Sequence, residues 1–402
     1  MRIAVHDYCG HPFQVQLSRE LARRGHEVLH LYSPSVQSAH GALEKMPSDP
    51  VGFDLAPVML DRPFEKYQPA RRALQELEYG RRLVRRVRPF GPEVVLSANT
   101  PLLSQRELVR AMARDGARFV FWQQDVLGVG IRNALRSRFG VVGDGIGRAF
   151  EGVEAKMLRT SDAVVTISED FVPLLRRAGV VGSAAYVVEN WAPLGELPQR
   201  PRDNAWAVRL GLVDRPVFLY AGTLGMKHNP ALLLDLADAV QGLGAIVAVV
   251  SEGLGADWLR EEGKGVANLV QLPYQPYESL PDVLATGDVL LCLLETDAGM
   301  FSVPSKVLSY LCAGRPVLAA VPPSNLAARV VAHAGAGITV DPTDKDGFIA
   351  GALDLLADPS PGRAARKYAE RTFDIAAIGE RFESILSPAA QPAGSNAISV
   401  LP

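Results

Sequence analysis

Two lysines in the second half of the chain, Lys227 and Lys306, could neutralise an anion. Lys306 opens an apolar stretch from Ser305 to Ala313 that Gly314 ends, as expected for a short helix with a left-handed glycine cap. A cation in the first helical turn faces the positive end of the helix dipole, so it is favoured where an anion also binds. A diphosphate fits this requirement, because backbone amides and ammonium groups both bind phosphate oxygens. The alternative is that Lys306 simply extends to solvent at a helix end.

The elements that must position these lysines alternate between strands and helices. The chain opens with strand "RIAVHDY", a loop, helix "FQVQLSRELARRG" and strand "EVLHLY", which is a βαβ pattern and predicts a parallel sheet. A second series starts at "PVFLYAG". Ligands of such sheets bind at the carboxyl ends of the strands, and in the second series those ends are followed by Thr223, Lys227, His228, Glu252 and "VPSK".

This alternation predicts an α/β protein with two Rossmann-like domains joined by a linker rich in proline. Residues 35–65 are expected to loop over the surface, and "GVVGDGIG" at 140–147 to form a flexible loop. The predicted parts are a first domain at 1–195, a linker at 196–209, a second domain at 210–370, a C-terminal helix at 371–386 that packs back towards the first domain, and a flexible tail at 387–402.

The composition of the chain argues against some classes of function. The 402 residues carry 42 basic and 44 acidic side chains, a net charge of -2, which argues against a bulk nucleic-acid binder. Residues 1–195 carry 26 basic against 21 acidic groups, a net of +5, so this half is expected to meet an anionic surface or substrate. Three widely spaced cysteines and the lack of a signal-peptide pattern indicate a cytoplasmic protein with reduced thiols.

The chain resembles the retaining GT-B glycosyltransferases of the family 4 type, in particular the bacterial enzymes that build surface polysaccharides. The resemblance covers about residues 1 to 386. It depends on the order and spacing of several motifs: "LSRELARRGHEV", "WQQD", "TISE", "VVEN", "YAGTLG", "VVSEG", "LPYQPYESLPDVLATGDVLL" and "VPSKVLSYLCAGRPVLA". It implies two Rossmann-like domains that face each other across a cleft, with a nucleotide-diphosphate sugar as donor substrate and no cofactor.

The resemblance also implies roles for individual residues. Lys227, Lys306 and Asp125 would be catalytic, the lysines by stabilising the leaving diphosphate and Asp125 by facing the transferring sugar or the acceptor hydroxyl. Gly10 and His11 would approach the donor phosphate or the acceptor, and Asn190 would lie with them in the acceptor site or the cleft. The donor would contact Gly222, Thr223, Glu252, Tyr274, Gln275, Ser302, Val303, Pro304, Ser305 and Ser309.

One position departs from the family pattern. Many members have two glutamates spaced E-x7-E, the second of which binds the ribose; here Ser309 stands at the second position and Phe301 at or near the first. Ser309 lies one helical turn after Ser305, so its hydroxyl could still meet a ribose. The alternative is a helix serine that bonds back to a carbonyl of the preceding turn.

Metal and nucleic-acid partners are not expected. "DKD" at 344–346 matches an Asp-x-Asp pattern but lies at a predicted helix start, where aspartate caps are common. The expected partners are a nucleotide sugar and a glycan, lipid-linked or small-molecule acceptor. Two basic stretches, "RRALQELEYGRRLVRRVR" and "IRNALRSRFG", would suit peripheral contact with the inner face of the membrane, or are ordinary solvated helix faces.

Three other functions stay open. An inactive partner subunit would explain the missing glutamates. A nucleotide-sugar 2-epimerase would need carboxylates and histidines where this chain offers Lys and Ser. An NAD-dependent dehydrogenase would need a glycine fingerprint after the first strand, which "YCGHPF" does not supply.

Overall fold

The computed structural model describes residues 1–35, 42–62, 69–98, 100–180, 184–225, 227–298, 302–387 and 399–400. Its internal contacts divide the chain into two compact units. The first comprises Met1–Glu189 with Ile375–Pro402, and the second comprises Asn190–Asp374. Of the predicted C-terminal helix, the part from Ile375 to Leu386 therefore belongs to the first unit. The predicted tail lies almost wholly outside the described residues.

The first unit is a parallel sheet flanked by helices. The strands stand in the order β14-β7-β6-β5-β4-β1-β2-β3, and the order reverses between β1 and β4. They are β1 (Arg2–Asp7), β2 (Glu27–Tyr32), β3 (Phe53–Pro57), β4 (Val94–Ala98), β5 (Arg118–Gln123), β6 (Ala163–Thr166), β7 (Ala185–Val187) and β14 (Ser399–Val400). The helices are α1 (Pro12–Arg23), α2 (Pro69–Val87), α3 (Leu102–Asp115), α4 (Leu127–Thr160), α5 (Val172–Arg177) and α14 (Ile375–Leu386).

The second unit repeats this architecture. Its six parallel strands stand in the order β10-β9-β8-β11-β12-β13, and the order reverses between β8 and β11. They are β8 (Val217–Ala221), β9 (Ile246–Val250), β10 (Leu269–Leu272), β11 (Val289–Leu293), β12 (Val317–Ala320) and β13 (Gly337–Val340). The helices are α6 (Ala205–Arg209), α7 (Ala231–Val240), α8 (Leu254–Glu262), α9 (Leu280–Thr286), α10 (Lys306–Ala313), α11 (Leu326–Ala334), α12 (Lys345–Ala357) and α13 (Ser360–Thr372).

Burial explains why these segments form strands. Every residue of β4, β8, β9 and β11 is buried, which is the pattern of a parallel strand covered by helices on both faces. The sequence reads accordingly as runs of Val, Leu and Ile rather than as alternating polar and apolar residues. The two sheets confirm the predicted α/β class.

Two predictions for the first half are wrong. The region expected to be only a surface loop contains β3, which pairs with β2 and buries Phe53 and Ala56. Its Asp and Pro residues and the lack of an alternating apolar pattern did not indicate a strand. The strand is nevertheless possible because it is short and lies at the edge of the sheet, where few apolar residues are needed.

The glycines at 140–147 do not form a loop of their own. They lie in α4, which is broken at Gly140, where φ is 57°. A Cβ at Gly143 would lie 2.0 Å from the Leu135 carbonyl oxygen, and one at Gly147 would lie 2.5 Å from the Cα of Arg132. The two halves of α4 thus pack as a helical hairpin, and these glycines permit close approach of the two backbones.

Part of the predicted linker packs within the second unit. Asn204 caps α6 by accepting the amides of Trp206 at 3.0 Å and Ala207 at 3.1 Å, and its Nδ2 donates to the Asp282 carbonyl at 2.9 Å. The domain limits given above stay a prediction. Within the described part of the chain, no helix is both long and apolar enough to cross a bilayer.

Candidate functional site

In each unit, the strand order reverses between two neighbouring strands, and side chains that could do chemistry follow those strands. In the second unit, β8 leads into residues 222–230, and the chain after β11 leads through 302–305 into α10. Loops after neighbouring parallel strands diverge at such a point and leave a crevice. The predicted lysines follow these two strands.

Tyr310 fixes α10 against the strand ends. Its buried hydroxyl accepts the Ala221 amide at 3.0 Å and lies 3.0 Å from the Ala221 carbonyl oxygen and 3.2 Å from that of Leu291. Ala221 ends β8, and Leu291 belongs to β11. One side chain thereby sets the position of the helix start relative to both strands.

Lys306 turns towards β8 rather than away from the protein. Its Nζ donates to the Tyr220 hydroxyl, lies 3.6 Å from the centre of the Tyr220 ring and is 3.4 Å from the Thr223 carbonyl oxygen. Burial, with Lys227 nearby, lowers the pKa of Lys306 to about 7. Among the described residues, no carboxylate pairs with it. The amine therefore lies where a bound anion would neutralise its positive charge.

Lys227 reaches the same region from the loop after β8. Its Nζ donates to the Ser302 Oγ at 2.6 Å, and its carbonyl accepts the Glu295 amide at 3.0 Å. Ser302 is buried, and its carbonyl accepts from Asn325 at 3.0 Å. The loop after β8 is thus tied to the segment that leads into α10.

His228 follows β8 as the sequence indicates, although the sequence alone assigned it no role in the site. Its Nδ1 accepts the Gly225 amide at 2.9 Å. Burial and the two lysines, Lys306 and Lys227, lower the pKa of His228 to about 3, so the ring is neutral. Because Nδ1 accepts, the ring proton is on Nε2. Its position after the end of a parallel strand was the signal for it in the sequence.

The turn after β8 brings the backbone against Lys306. Gly222 has a φ of 125°, in the left-handed region that favours glycine, and a Cβ built on it would lie 3.4 Å from the Lys306 Cε. The Thr223 carbonyl accepts from the Tyr220 hydroxyl at 2.7 Å, and the Thr223 Oγ1 lies 2.5 Å from the Tyr274 hydroxyl. The structure therefore brings Gly222, Thr223 and Tyr274 together with Lys306.

Glu252 and Gln275 lie beside this group. Burial raises the pKa of Tyr274, and the Glu252 carboxylate contributes to the same shift, so the two side chains interact. The Glu252 carbonyl accepts the Leu224 amide at 3.1 Å. Gln275 accepts from the Trp206 Nε1 at 3.2 Å, which gives it a structural role in holding α6.

The predicted segment before α10 is described from Ser302 onward. Val303 and Pro304 are half-buried, and Ser305 is exposed at the helix start, where its side chain makes no cap hydrogen bond. Ser309 is half-buried one turn further on. The first turn of α10 contains no acidic residue, which leaves its amides unopposed by an internal carboxylate. Phe301, the position matched to the first family glutamate, lies outside the described residues.

In the first unit, the loop after β1 is organised by Asp7, which the sequence did not single out. The buried Asp7 accepts the Cys9 amide on Oδ1 at 3.0 Å and the His11 amide on Oδ2. The His11 Nδ1 also lies 3.3 Å from Asp7 Oδ1. With its amide nitrogen facing the carboxylate, Gln14 adds a bond of 2.7 Å. Gly10 makes the turn between them, with a φ of 70°.

These contacts set the charges of the loop. Against the effect of burial, the attraction of His11 lowers the pKa of Asp7, and that of Asp7 raises the pKa of His11. Asp125, which follows β5, also raises the pKa of His11. The structure therefore brings Gly10, His11 and Asp125 into one group, whereas Asn190 is the first residue of the second unit.

Asp125 does not cap α4. Instead, the buried Glu154 accepts the amides of Leu127 at 3.1 Å and Gly128 at 2.9 Å, and burial raises the pKa of Glu154 to about 7. Asp125 is half-buried beside this helix start. The Asp125 carboxylate therefore plays no part in capping the helix, and it favours the charged form of His11.

One cluster has the side-chain types of a metal site. The ligand atoms of Asp7, Cys9 and His11 lie within 4.8 Å of one another. However, both Asp7 oxygens already accept backbone amides, and burial raises the pKa of the Cys9 thiol well above its usual value, which disfavours the thiolate that metals bind. Hydrogen bonding of the loop explains the arrangement. At the "DKD" pattern, Asp344 caps α12 by accepting the Gly347 amide at 2.8 Å.

Comparison with known proteins identifies the family. The model of Glycosyltransferase Family 4 matches residues 14–195, and that of Glycosyl transferases group 1 matches residues 215–358. The chain belongs to the family 4 glycosyltransferases. A relative named as the colanic acid biosynthesis glycosyl transferase WcaI of Escherichia coli (strain K12) is 29% identical over 278 residues, which are 66% of this chain and 67% of the relative.

Glycosyltransferases are among the solved structures with a similar fold. Anabaena HepE in complex with UDP and glucose has a TM-score of 0.69 at 14% identity, over 96% of this chain and 99% of that one. WaaG, a glycosyltransferase involved in lipopolysaccharide biosynthesis, has a TM-score of 0.66 at 17% identity, over 96% of this chain and 100% of that one. At this identity the likeness concerns the fold, and it confirms the predicted GT-B class.

We expect Tyr310→Phe to lower the free energy of unfolding by about 1–3 kcal/mol, because it removes the hydroxyl that bonds to buried backbone groups at the end of β8 and in the middle of β11. Urea denaturation measures this. Tyr32→Phe is the matched control, since the Tyr32 hydroxyl is half-buried and makes a long bond of 3.4 Å to the Leu43 carbonyl. Equal losses in the two variants would contradict the role of Tyr310.

We expect Asp7→Asn to lower the pKa of His11 and to destabilise the protein by about 2–4 kcal/mol, because an amide cannot accept all the bonds that the carboxylate accepts. NMR titration of the histidine rings measures the pKa, with His11→Gln to assign the signal. Asp125→Asn is the control: it should lower the same pKa and leave the stability within about 1 kcal/mol. An unchanged His11 titration in Asp7→Asn would contradict the proposed coupling.

Proposed function

We propose that this protein transfers a hexosyl group from a nucleotide-diphosphate sugar to an acceptor hydroxyl, with retention of anomeric configuration. The names of its relatives support a role in the biosynthesis of a polysaccharide or glycoconjugate, since WcaI is named for colanic acid and WaaG for lipopolysaccharide. HepE was solved with UDP and glucose, which supports a nucleotide sugar as donor.

The observation that carries this proposal is the pair of lysines at the reversal of strand order in the second unit. Departure of the leaving group creates a dianionic diphosphate, and preorganised cations lower the barrier by stabilising that charge. Lys306 and Lys227 would supply the cations, with Gly222 lining the diphosphate and backbone amides of residues 302–306 as further donors. Glu252, Tyr274 and Ser309 would contact the nucleoside.

The reaction would need no metal ion, because the two ammonium groups take over neutralisation of the diphosphate. Retention is proposed from the resemblance to retaining members of the family. In such an enzyme, a departing phosphate oxygen can take the proton of the acceptor hydroxyl as that hydroxyl approaches the anomeric carbon. No dedicated nucleophile is therefore proposed, and holding the acceptor hydroxyl close to the anomeric carbon, on the face from which the phosphate departs, supplies the rest of the rate enhancement.

The first unit would bind the acceptor, a glycan, a lipid-linked glycan or a small molecule. The raised pKa of His11 favours its charged form, which suits a phosphate group of either substrate, and Asp125 would orient the acceptor hydroxyl. We propose a cytoplasmic location, with peripheral contact to the inner face of the membrane.

An inactive nucleotide-sugar-binding subunit is the second candidate. The observation in its favour is that no acidic residue lies between Met300 and Leu318, where many family members have two glutamates. Against it, both lysines are held at the proposed diphosphate site. Turnover separates the two functions, and an epimerised nucleotide sugar among the products would instead identify a 2-epimerase.

The first experiment exposes the purified protein to UDP-, GDP-, dTDP- and ADP-sugars and records thermal shifts. One nucleotide class should raise the melting temperature by a few degrees when present at about 100 times its Kd, because it binds only the folded state. Lys306→Ala and Lys227→Ala should each lose most of this shift. Lys264→Ala, which removes an exposed lysine of the same unit, should keep it.

No shift with any nucleotide sugar would overturn the donor-site proposal. A shift without sugar transfer to any acceptor glycan, and without hydrolysis, would favour the inactive subunit. If transfer occurs, NMR of the product gives the anomeric configuration, and inversion would contradict the retaining mechanism while leaving the donor site intact.

Donor binding should also depend on pH. The pKa of Lys306 is about 7 in the free protein, and a bound diphosphate raises it. Below pH 7 the amine is already charged, so the affinity is constant; above pH 7 binding must take up a proton, and the Kd should rise by up to about tenfold per pH unit. Calorimetry in buffers of different ionisation enthalpy measures the proton uptake. Lys306→Ala should abolish the uptake, and a Kd independent of pH from about 7 to 9 would contradict this assignment.

A further inference from the structure

Among the described residues of the first unit, the most exposed group of large apolar side chains lies at the end of the α4 hairpin. Phe139, Val141, Val142 and Ile146 expose 47%, 89%, 72% and 47% of their surface. They lie within eight residues of one another, on both sides of the break at Gly140. Single exposed apolar residues are ordinary on a protein surface, but a cluster of four indicates a contact surface.

The base of the hairpin is anchored, so this end projects from the unit. Met157 and Leu158 are buried in the core of the first unit, and Ile131, Phe150 and Val153 pack against it. From Ile131 to Phe139 a helix advances about 12 Å, at about 1.5 Å per residue. The residues from 132 to 148, here called the hairpin tip, therefore stand beyond the core that holds the base.

The hairpin tip is also positively charged. It contains four arginines and one aspartate, a net charge of +3. Arg132 and Arg148 pair with Asp144, both at 2.7 Å. Arg136 and Arg138 are exposed and have no ion-pair partner among the described residues, and the Arg138 guanidinium lies 5.3 Å from the centre of the Phe139 ring. Arginines thus flank the apolar side chains.

We propose that the hairpin tip binds the surface of an anionic lipid bilayer. Apolar side chains beside unpaired arginines match the boundary of such a bilayer, where apolar groups enter the acyl region and cations meet the lipid phosphates. A second copy of the chain fits less well. Four side chains expose on the order of a few hundred Å², below the roughly 800 Å² per partner of a stable protein interface, and equal positive charges would repel.

This inference deepens the proposed function, in which a lipid-linked acceptor is one of the candidates. A protein held on the bilayer by the first unit would meet such an acceptor at high local concentration. The binding itself does not depend on glycosyl transfer, so the two can be tested separately.

The test is co-sedimentation of the full chain with vesicles. Phosphatidylcholine vesicles with about 30% phosphatidylglycerol should bind it, and pure phosphatidylcholine should bind it at least about tenfold more weakly. Val141→Ser with Val142→Ser, and separately Arg136→Gln with Arg138→Gln, should each weaken binding to the mixed vesicles by about tenfold or more. Leu243→Ser and Arg176→Gln with Arg177→Gln are matched controls at other exposed sites and should bind as the unaltered protein does.

Thermal shifts with nucleotide sugars are recorded for every variant. Hairpin-tip variants that keep the shift of the unaltered protein but lose vesicle binding support the proposal, whether or not sugar transfer is found. The proposal is overturned if the unaltered chain does not bind anionic vesicles, or if the tip variants bind them undiminished. It is also overturned if light scattering shows that the unaltered chain is a dimer and that the tip substitutions only dissociate it.

Discussion

The second unit depends on keeping a lysine amine partly out of water where no carboxylate of the described residues pairs with it. Lys306 would gain hydration by extending from the end of α10, yet its Nζ lies over the Tyr220 ring and bonds to the Tyr220 hydroxyl. The ring face and the carbonyl of Thr223 replace only part of that hydration. The arrangement holds because Tyr310 fixes α10 on β8 and β11, and because Gly222 lets the turn after β8 pass beside the lysine. An arriving anion would gain from charge that is already positioned.

At the corresponding place in its sheet, the first unit buries a negative charge instead of a positive one. There a carboxylate is buried after β1, and Asp7 is satisfied by the amides of Cys9 and His11 and by the His11 ring. A buried carboxylate with these bonds stays charged and makes the loop rigid. The second unit thus holds the charge of Lys306, with which no described carboxylate pairs. In the first unit, Asp7 sets the charge and the ring orientation of His11. This division suits a reaction in which one substrate is a diphosphate and the other an alcohol.

Sequence reasoning found the residues whose types are unusual for their position. A lysine at a helix start conflicts with local preference, and Lys227 and His228 follow a strand end where ligands of parallel sheets bind, so these residues could be recognised as candidates. Asp7 was missed because an aspartate at a strand end is common. The glycines at 140–147 were misread for a related reason. A glycine that permits close packing of two helices looks the same in sequence as one that makes a loop flexible.

The sequence by itself determined the alternation of strands and helices, the two parallel sheets and the side of each sheet on which chemistry could occur. These follow from local patterns, because hydrophobic periodicity and capping act over a few residues. Only the tertiary structure decided that Lys306 turns onto Tyr220, 86 positions earlier, and that Asp125 lies near enough to His11 to raise its pKa. It also decided that Phe139 and Val141 stand at the exposed end of a hairpin. Burial and charge balance depend on which distant segments pack together, and no local pattern contains that information.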